Sequence, residues 1–153
     1  MRYIYILILS ILSFSAQSSS EVDAWYTSKG GEYLVKDSIH GVAYGLIGVS
    51  KAGDMAVYFQ FWDEECSSFL GDGVQAHDPV KVNGQLVRML QSCDGKWRTV
   101  FAASDKGRDY IINQFKKKNF VELKGYDDSY KLLFSAKNFT KLFNLKVSSS
   151  AAI

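Results

Sequence analysis

Apolar residues in this chain recur at every second position over most of its length and shift to helical spacing only near its end. Gly41-Val42-Ala43-Tyr44-Gly45-Leu46-Ile47-Gly48-Val49 reads as a strand whose glycines mark bends or close backbone approach. After a Lys51-Ala52-Gly53-Asp54 turn, Met55 to Trp62 is rich in the residue types that suit a pleated surface. Met55, Val57, Phe59 and Phe61 share one face, and Ala56, Tyr58, Gln60 and Trp62 the other. With apolar groups on both faces, this segment is predicted to be a central strand covered on both sides. Cys66 to Pro79 shows no periodicity and reads as a loop.

A hairpin follows, from Gln85–Gln91 through Cys93-Asp94-Gly95-Lys96 to Trp97–Ala102, because Asp-Gly between apolar runs is a strong turn signal. Ser104 or Asp105 can cap a helix carrying Ile111, Ile112 and Phe115 on one side and ending in Lys116-Lys117-Lys118. Phe120–Leu123 and Tyr130–Phe134 form another hairpin around Gly125-Tyr126-Asp127-Asp128. Ser135 is placed to cap a short final helix in which Phe139, Leu142 and Phe143 recur at i, i+3 and i+4. Residues 147–153 are predicted to fray. The fold class expected is α+β, mainly antiparallel β and sandwich-like, with two short helices in the C-terminal half.

The N-terminus departs from this pattern. Arg2 precedes a ten-residue apolar stretch, Tyr3 to Leu12, and then a Ser-rich segment. That is the layout of a secretory signal, and the stretch is well short of the roughly 20 apolar residues of a membrane-spanning helix. Ala16-Gln17-Ser18 supplies small residues two positions apart, so residues 1–18 are read as a cleavable signal peptide and 19–153 as one globular domain. The expected location is periplasmic or secreted, with no stable membrane anchor. About 135 residues remain, the commonest size for a single domain, and 47% hydrophobic content argues against disorder. Cys66 and Cys93 are the two cysteines, and an even count in an oxidising compartment implies one disulfide.

Net charge is +2, but it is unevenly spread. Residues 19–79 carry three basic and ten acidic side chains, and residues 80–153 carry fourteen basic and six acidic. Opposite fields of this size attract, so the halves can neutralise one another, or a basic face can meet an acidic protein or anionic surface polymer. A near-neutral exported chain is a poor candidate for nucleic acid.

Catalytic motifs are sparse. His40 and His77 lack metal-ligand spacing, and there is no Gly-x-Ser-x-Gly elbow. Neighbours in Asp63-Glu64-Glu65 point to opposite sides of an extended chain and do not converge. No cofactor or metal is predicted. Tyr58 and Trp62, with Trp97 on the next hairpin, are candidates for stacking on a carbohydrate or a partner protein, while Lys116, Lys117 and Lys118 offer an anion site. The function expected is an exported, disulfide-stabilised, non-enzymatic binding protein. The alternatives are a periplasmic inhibitor or immunity protein and a small wall- or polysaccharide-acting hydrolase using His40 or His77.

Several features of the last sixty residues are shared with one family. A strand ends at Cys93, the run Thr99-Val100-Phe101 follows, and the chain closes on Phe134-Ser135-Ala136-Lys137-Asn138-Phe139-Thr140-Lys141-Leu142-Phe143. Trp62 and Cys66 keep a Trp-x-x-x-Cys spacing. In these respects the C-terminal half resembles the invasion-associated locus B family of exported bacterial proteins. Asn138 stands where that family tends to have glycine, and its additional cysteines are missing here. The resemblance implies a periplasmic or surface, β-rich, non-enzymatic protein linked to the envelope or to host interaction.

Overall fold

The computed structural model describes residues 21–66 and 73–150, and among these, nine strands join into one antiparallel sheet. They are β1 (Tyr26–Thr27), β2 (Tyr33–Lys36), β3 (Ala43–Val49), β4 (Met55–Trp62), β5 (Val74–Val82), β6 (Gln85–Asp94), β7 (Trp97–Ala102), β8 (Phe120–Gly125) and β9 (Lys131–Ser135). Helices α1 (Asp105–Lys117) and α2 (Phe139–Ser150) lie in the C-terminal half, as the α+β, mainly antiparallel reading requires. The spatial order is β1-β2-β3-β4-β7-β6-β5-β8-β9. The signal-peptide segment lies outside the described residues.

The sheet curls until distant strands face each other across the core. Phe59 of β4 and Phe134 of β9 bring their ring centroids to 5.4 Å. Just past β2, Ser38 donates its backbone N–H to the Leu133 carbonyl of β9 at 2.9 Å. The Leu133 N–H donates in turn to the Asp37 carboxylate at 2.9 Å. Asp37 is wholly buried, and it also accepts from the backbone N–H groups of Ile39, His40 and Gly41. Four donors converge on this carboxylate, which satisfies a group that would otherwise be costly to bury. Two more bonds close the seam: Trp25 N–H to Lys137 carbonyl at 3.0 Å, and Ser135 Oγ to Asp23 carbonyl at 2.7 Å.

One side chain in two points into the curl, including Val35, Ile47, Val57, Phe59, Met89, Val100, Val121 and Leu123, all buried. Close approach explains two glycines of β3. A Cβ on Gly45 would stand 3.1 Å from Val35 and 3.2 Å from the Trp25 ring, and one on Gly48 would stand 2.9 Å from the Tyr58 ring.

Helix α1 closes the end of the curl that carries the β3–β4 and β5–β6 turns. Ser104 is its N-cap, accepting from the Gly107 N–H at 3.2 Å. Tyr110 donates to the Val82 carbonyl, Asn83 to the Gln114 side chain, and Arg108 pairs with Asp54 at 3.1 Å. Ile111, Ile112 and Phe115 face inward, and Phe115 stacks on Phe139 of α2 at 4.9 Å.

Three expectations need correction. The described part of the stretch read as a loop, 73–79, belongs almost wholly to β5, which bulges between His77 and Val80, where Pro79 has no N–H to give. Ser135 does not cap α2. It ends β9, and the chain turns into the helix through Asn138, held at φ 68°. Finally, α2 continues past Val147 to Ser150, its serines bonding back to carbonyls one turn earlier.

Candidate functional site

The sheet's outer face is the surface on which the sequence-predicted aromatics meet. In β4 the inward partners Val57 and Phe59 are buried, which forces Tyr58, Gln60 and Trp62 outward. The strand is central, between β3 and β7, but it is not covered on both sides: Trp62 is 53% exposed.

Cross-strand register extends this face into rows. Tyr26 pairs with Leu34, Leu34 with Leu46, and Leu46 with Tyr58. Tyr58 then meets Phe101 at 5.5 Å, and Phe101 pairs with Leu90. A second row runs Lys36, Tyr44, Gln60, Thr99, Ser92 and Val74. A third places Trp62 opposite Trp97, with ring centroids 5.3 Å apart and nearly perpendicular. Tyr44 also meets Trp97, with ring centroids 6.2 Å apart. Edge-to-face contacts of this kind hold rings in place while leaving a face to solvent.

A groove of about 450 Å³ crosses these rows beside Trp97, lined by Glu21, Tyr26, Glu32, Leu34, Tyr44, Leu46 and Gln60 as well. Burial pushes the Tyr26 hydroxyl above its ordinary pKa, with Glu21 adding to the effect. The Ser28 hydroxyl donates to Glu32 and holds that carboxyl below the usual range. Gln60 Nε2 reaches Thr99 Oγ1 at 3.4 Å. Two lysines rest over rings of the face: Lys36 Nζ is 5.7 Å from the Tyr44 centroid, and Lys96 Nζ 5.5 Å from Trp62.

Tyr58, Trp62 and Trp97 are therefore brought onto one surface. The three lysines are not. Lys116 and Lys117 close α1 and Lys118 caps it, across the molecule's helical end, with Lys116 Nζ 4.4 Å from the Phe143 ring. The sequence reading did not include Tyr26, Leu34, Tyr44, Leu46, Glu21 or Glu32. For Tyr44 and Leu46 a signal existed, since both alternate with inward residues along β3. The others join only through strand pairing.

Cys66 and Cys93 form the disulfide, with Cα atoms 5.7 Å apart, a separation typical of a cystine. It ties the end of β6 to the segment after β4. Asp63 is not a free member of an acidic loop: Arg98 donates to it through Nε at 2.9 Å and through a second nitrogen, and also to Gln91 at 2.7 Å. That pairing lowers the Asp63 pKa. Glu64 lies 3.7 Å from Lys96.

His77 lies in a cleft with Asp78, Asp127, Ser129 and Tyr130, but its Nδ1 is 2.6 Å from the Asp78 backbone carbonyl, not from a carboxylate. The His40 backbone N–H serves Asp37. Among the described residues, no group of three or more His, Cys, Asp or Glu is placed to hold a metal ion. No described helix is long and apolar enough to cross a membrane, and the disulfide is compatible with an oxidising compartment. No protein-family model, curated protein or solved structure matches the chain.

Proposed function

We propose that this chain is an exported, non-enzymatic binding protein of the bacterial envelope or extracellular space, and that it engages its partner through the outer face of the sheet. The observation carrying this reading is the Trp62–Trp97 pair, 53% and 37% exposed, which Tyr44 joins at 6.2 Å from Trp97 on the same outer face. Exposed tryptophans with a tyrosine beside them are the residue types that dominate the energetics of interaction surfaces. Export is supported by the N-terminal apolar stretch and the cystine, and the resemblance to the invasion-associated locus B family points to the same compartment.

Retention of purified protein on envelope fractions and on host extracellular material tests the reading. The wild type is expected to be held, and Trp62→Ala/Trp97→Ala to be released at least tenfold more readily while keeping its far-ultraviolet circular dichroism. Equal retention of the double variant, or none of the wild type, overturns the assignment. The hydrolase alternative rests on the His77 cleft. A wall-degrading activity lost in His77→Ala would replace the binding reading.

A further inference from the structure

Resting on the outer-face reading above, we propose that the groove beside Trp97 receives guanidinium or ammonium side chains from a basic peptide segment of the partner. Two carboxylates, Glu21 and Glu32, line it together with the rings of Tyr26, Tyr44 and Trp97, and among the described residues no basic side chain lines it. Both carboxylates lie in the half of the chain with ten acidic and three basic residues, so the field at the groove is negative. Aromatic faces attract cations, and this surface already shows the behaviour. Lys36 rests 5.7 Å over Tyr44 on one flank, and Lys96 5.5 Å over Trp62 on the other. Between them Trp97 presents its exposed ring to the groove. Arginine suits the site best, because its planar fork stacks on a ring while donating to a carboxylate at its edge. A neutral sugar could use the same rings and hydroxyl acceptors but would leave both charges unanswered, and an anionic polymer would be repelled.

Titration of the oxidised protein with hexa-arginine, hexa-lysine, hexa-glutamate and chitohexaose, followed by tryptophan fluorescence, tests this. Hexa-arginine is expected to give a saturable change at lower concentration than hexa-lysine, with no response to hexa-glutamate or chitohexaose. Glu21→Gln/Glu32→Gln should weaken hexa-arginine binding at least tenfold. Asp105→Asn/Asp109→Asn, which removes the same charge at the far end of the molecule, should change it less than twofold. Equal losses in the two double variants would reduce the effect to net charge and overturn the proposal, as would saturable binding of chitohexaose in place of the peptides. If hexa-arginine fails while retention on envelope or host material still depends on Trp62 and Trp97, the cationic ligand falls and the binding surface stands. If both fail, the surface itself falls.

Discussion

At Asp63 a single carboxylate carries two jobs. Its backbone N–H bonds the Lys96 carbonyl at 2.8 Å, joining the end of β4 to the β6–β7 turn, and its side chain takes the Arg98 fork. Arg98 in turn reaches Gln91 on the inner face of β6. The hydrogen bonds from Arg98 lower the Asp63 pKa in the folded state. A carboxyl shifted downward contributes stability that is complete above its ordinary pKa and is lost as pH falls through the folded value. Asp63→Asn should therefore be less stable than the wild type at neutral pH. The gap should close as pH is lowered through and beneath the usual carboxylate range. Urea unfolding midpoints measured from pH 7 to pH 2 give the comparison. A gap that stays constant over that range would mean the ion pair contributes nothing and only the local geometry matters.

Elements with sustained alternation or helical spacing were legible in the chain itself: β4, the β6–β7 and β8–β9 hairpins, and α1 with its Ser104 cap. β5 was hidden because Asp78-Pro79 interrupts its pattern at a bulge, although Asn83-Gly84, both at positive φ, is a hairpin signal at its far end. β1 and β2 are two and four residues long and flank Gly30-Gly31, too short for periodicity to register. The candidate surface was legible to the same degree. Tyr58 and Trp62 follow from alternation within β4, but Tyr26, Glu21 and Glu32 reach the groove through a strand order that no local pattern encodes. The pairing of Cys66 with Cys93, by contrast, follows from there being just two cysteines in the chain. Its separation of 27 residues corresponds to about 3.5 kcal/mol of loop-closure entropy. Reduction followed by alkylation should lower the unfolding free energy by about that amount, read from urea titrations of the two forms. No loss on reduction would show that the cystine adds nothing to the Asp63–Arg98 and Asp63–Lys96 contacts that already hold these strand ends.

Among the described residues, three ion pairs cross between the two oppositely charged halves. Arg98 and Asp63, Arg108 and Asp54, and Lys96 and Glu64 pair across the division, while Lys81, Lys124 and Lys131 pair with acids of their own half. The solvent-facing Lys96–Glu64 pair contributes little, and the halves are joined chiefly by the β4–β7 strand pairing and by their shared core. Trp25 is its largest fully buried side chain, 1% exposed. It bridges the start of the sheet to both helices, edge-on to Phe115 at 5.2 Å and to Phe139 at 5.1 Å, and its backbone N–H bonds Lys137 at the seam. Among the described residues its indole Nε1 has no hydrogen-bond acceptor, and the ring's contacts there are with other rings. Trp25→Ala should cost about 4 kcal/mol, the range for emptying a large aromatic site, and a domain of this size has only about 5–15 kcal/mol in total. Trp25→Phe keeps an aromatic ring between Phe115 and Phe139 and gives up no hydrogen bond, so it should cost only about 1–2 kcal/mol. Chemical denaturation of both variants separates the two contributions. If the phenylalanine variant falls as far as the alanine one, the indole N–H has an acceptor after all, and the closure of the sheet depends on a polar contact at its centre.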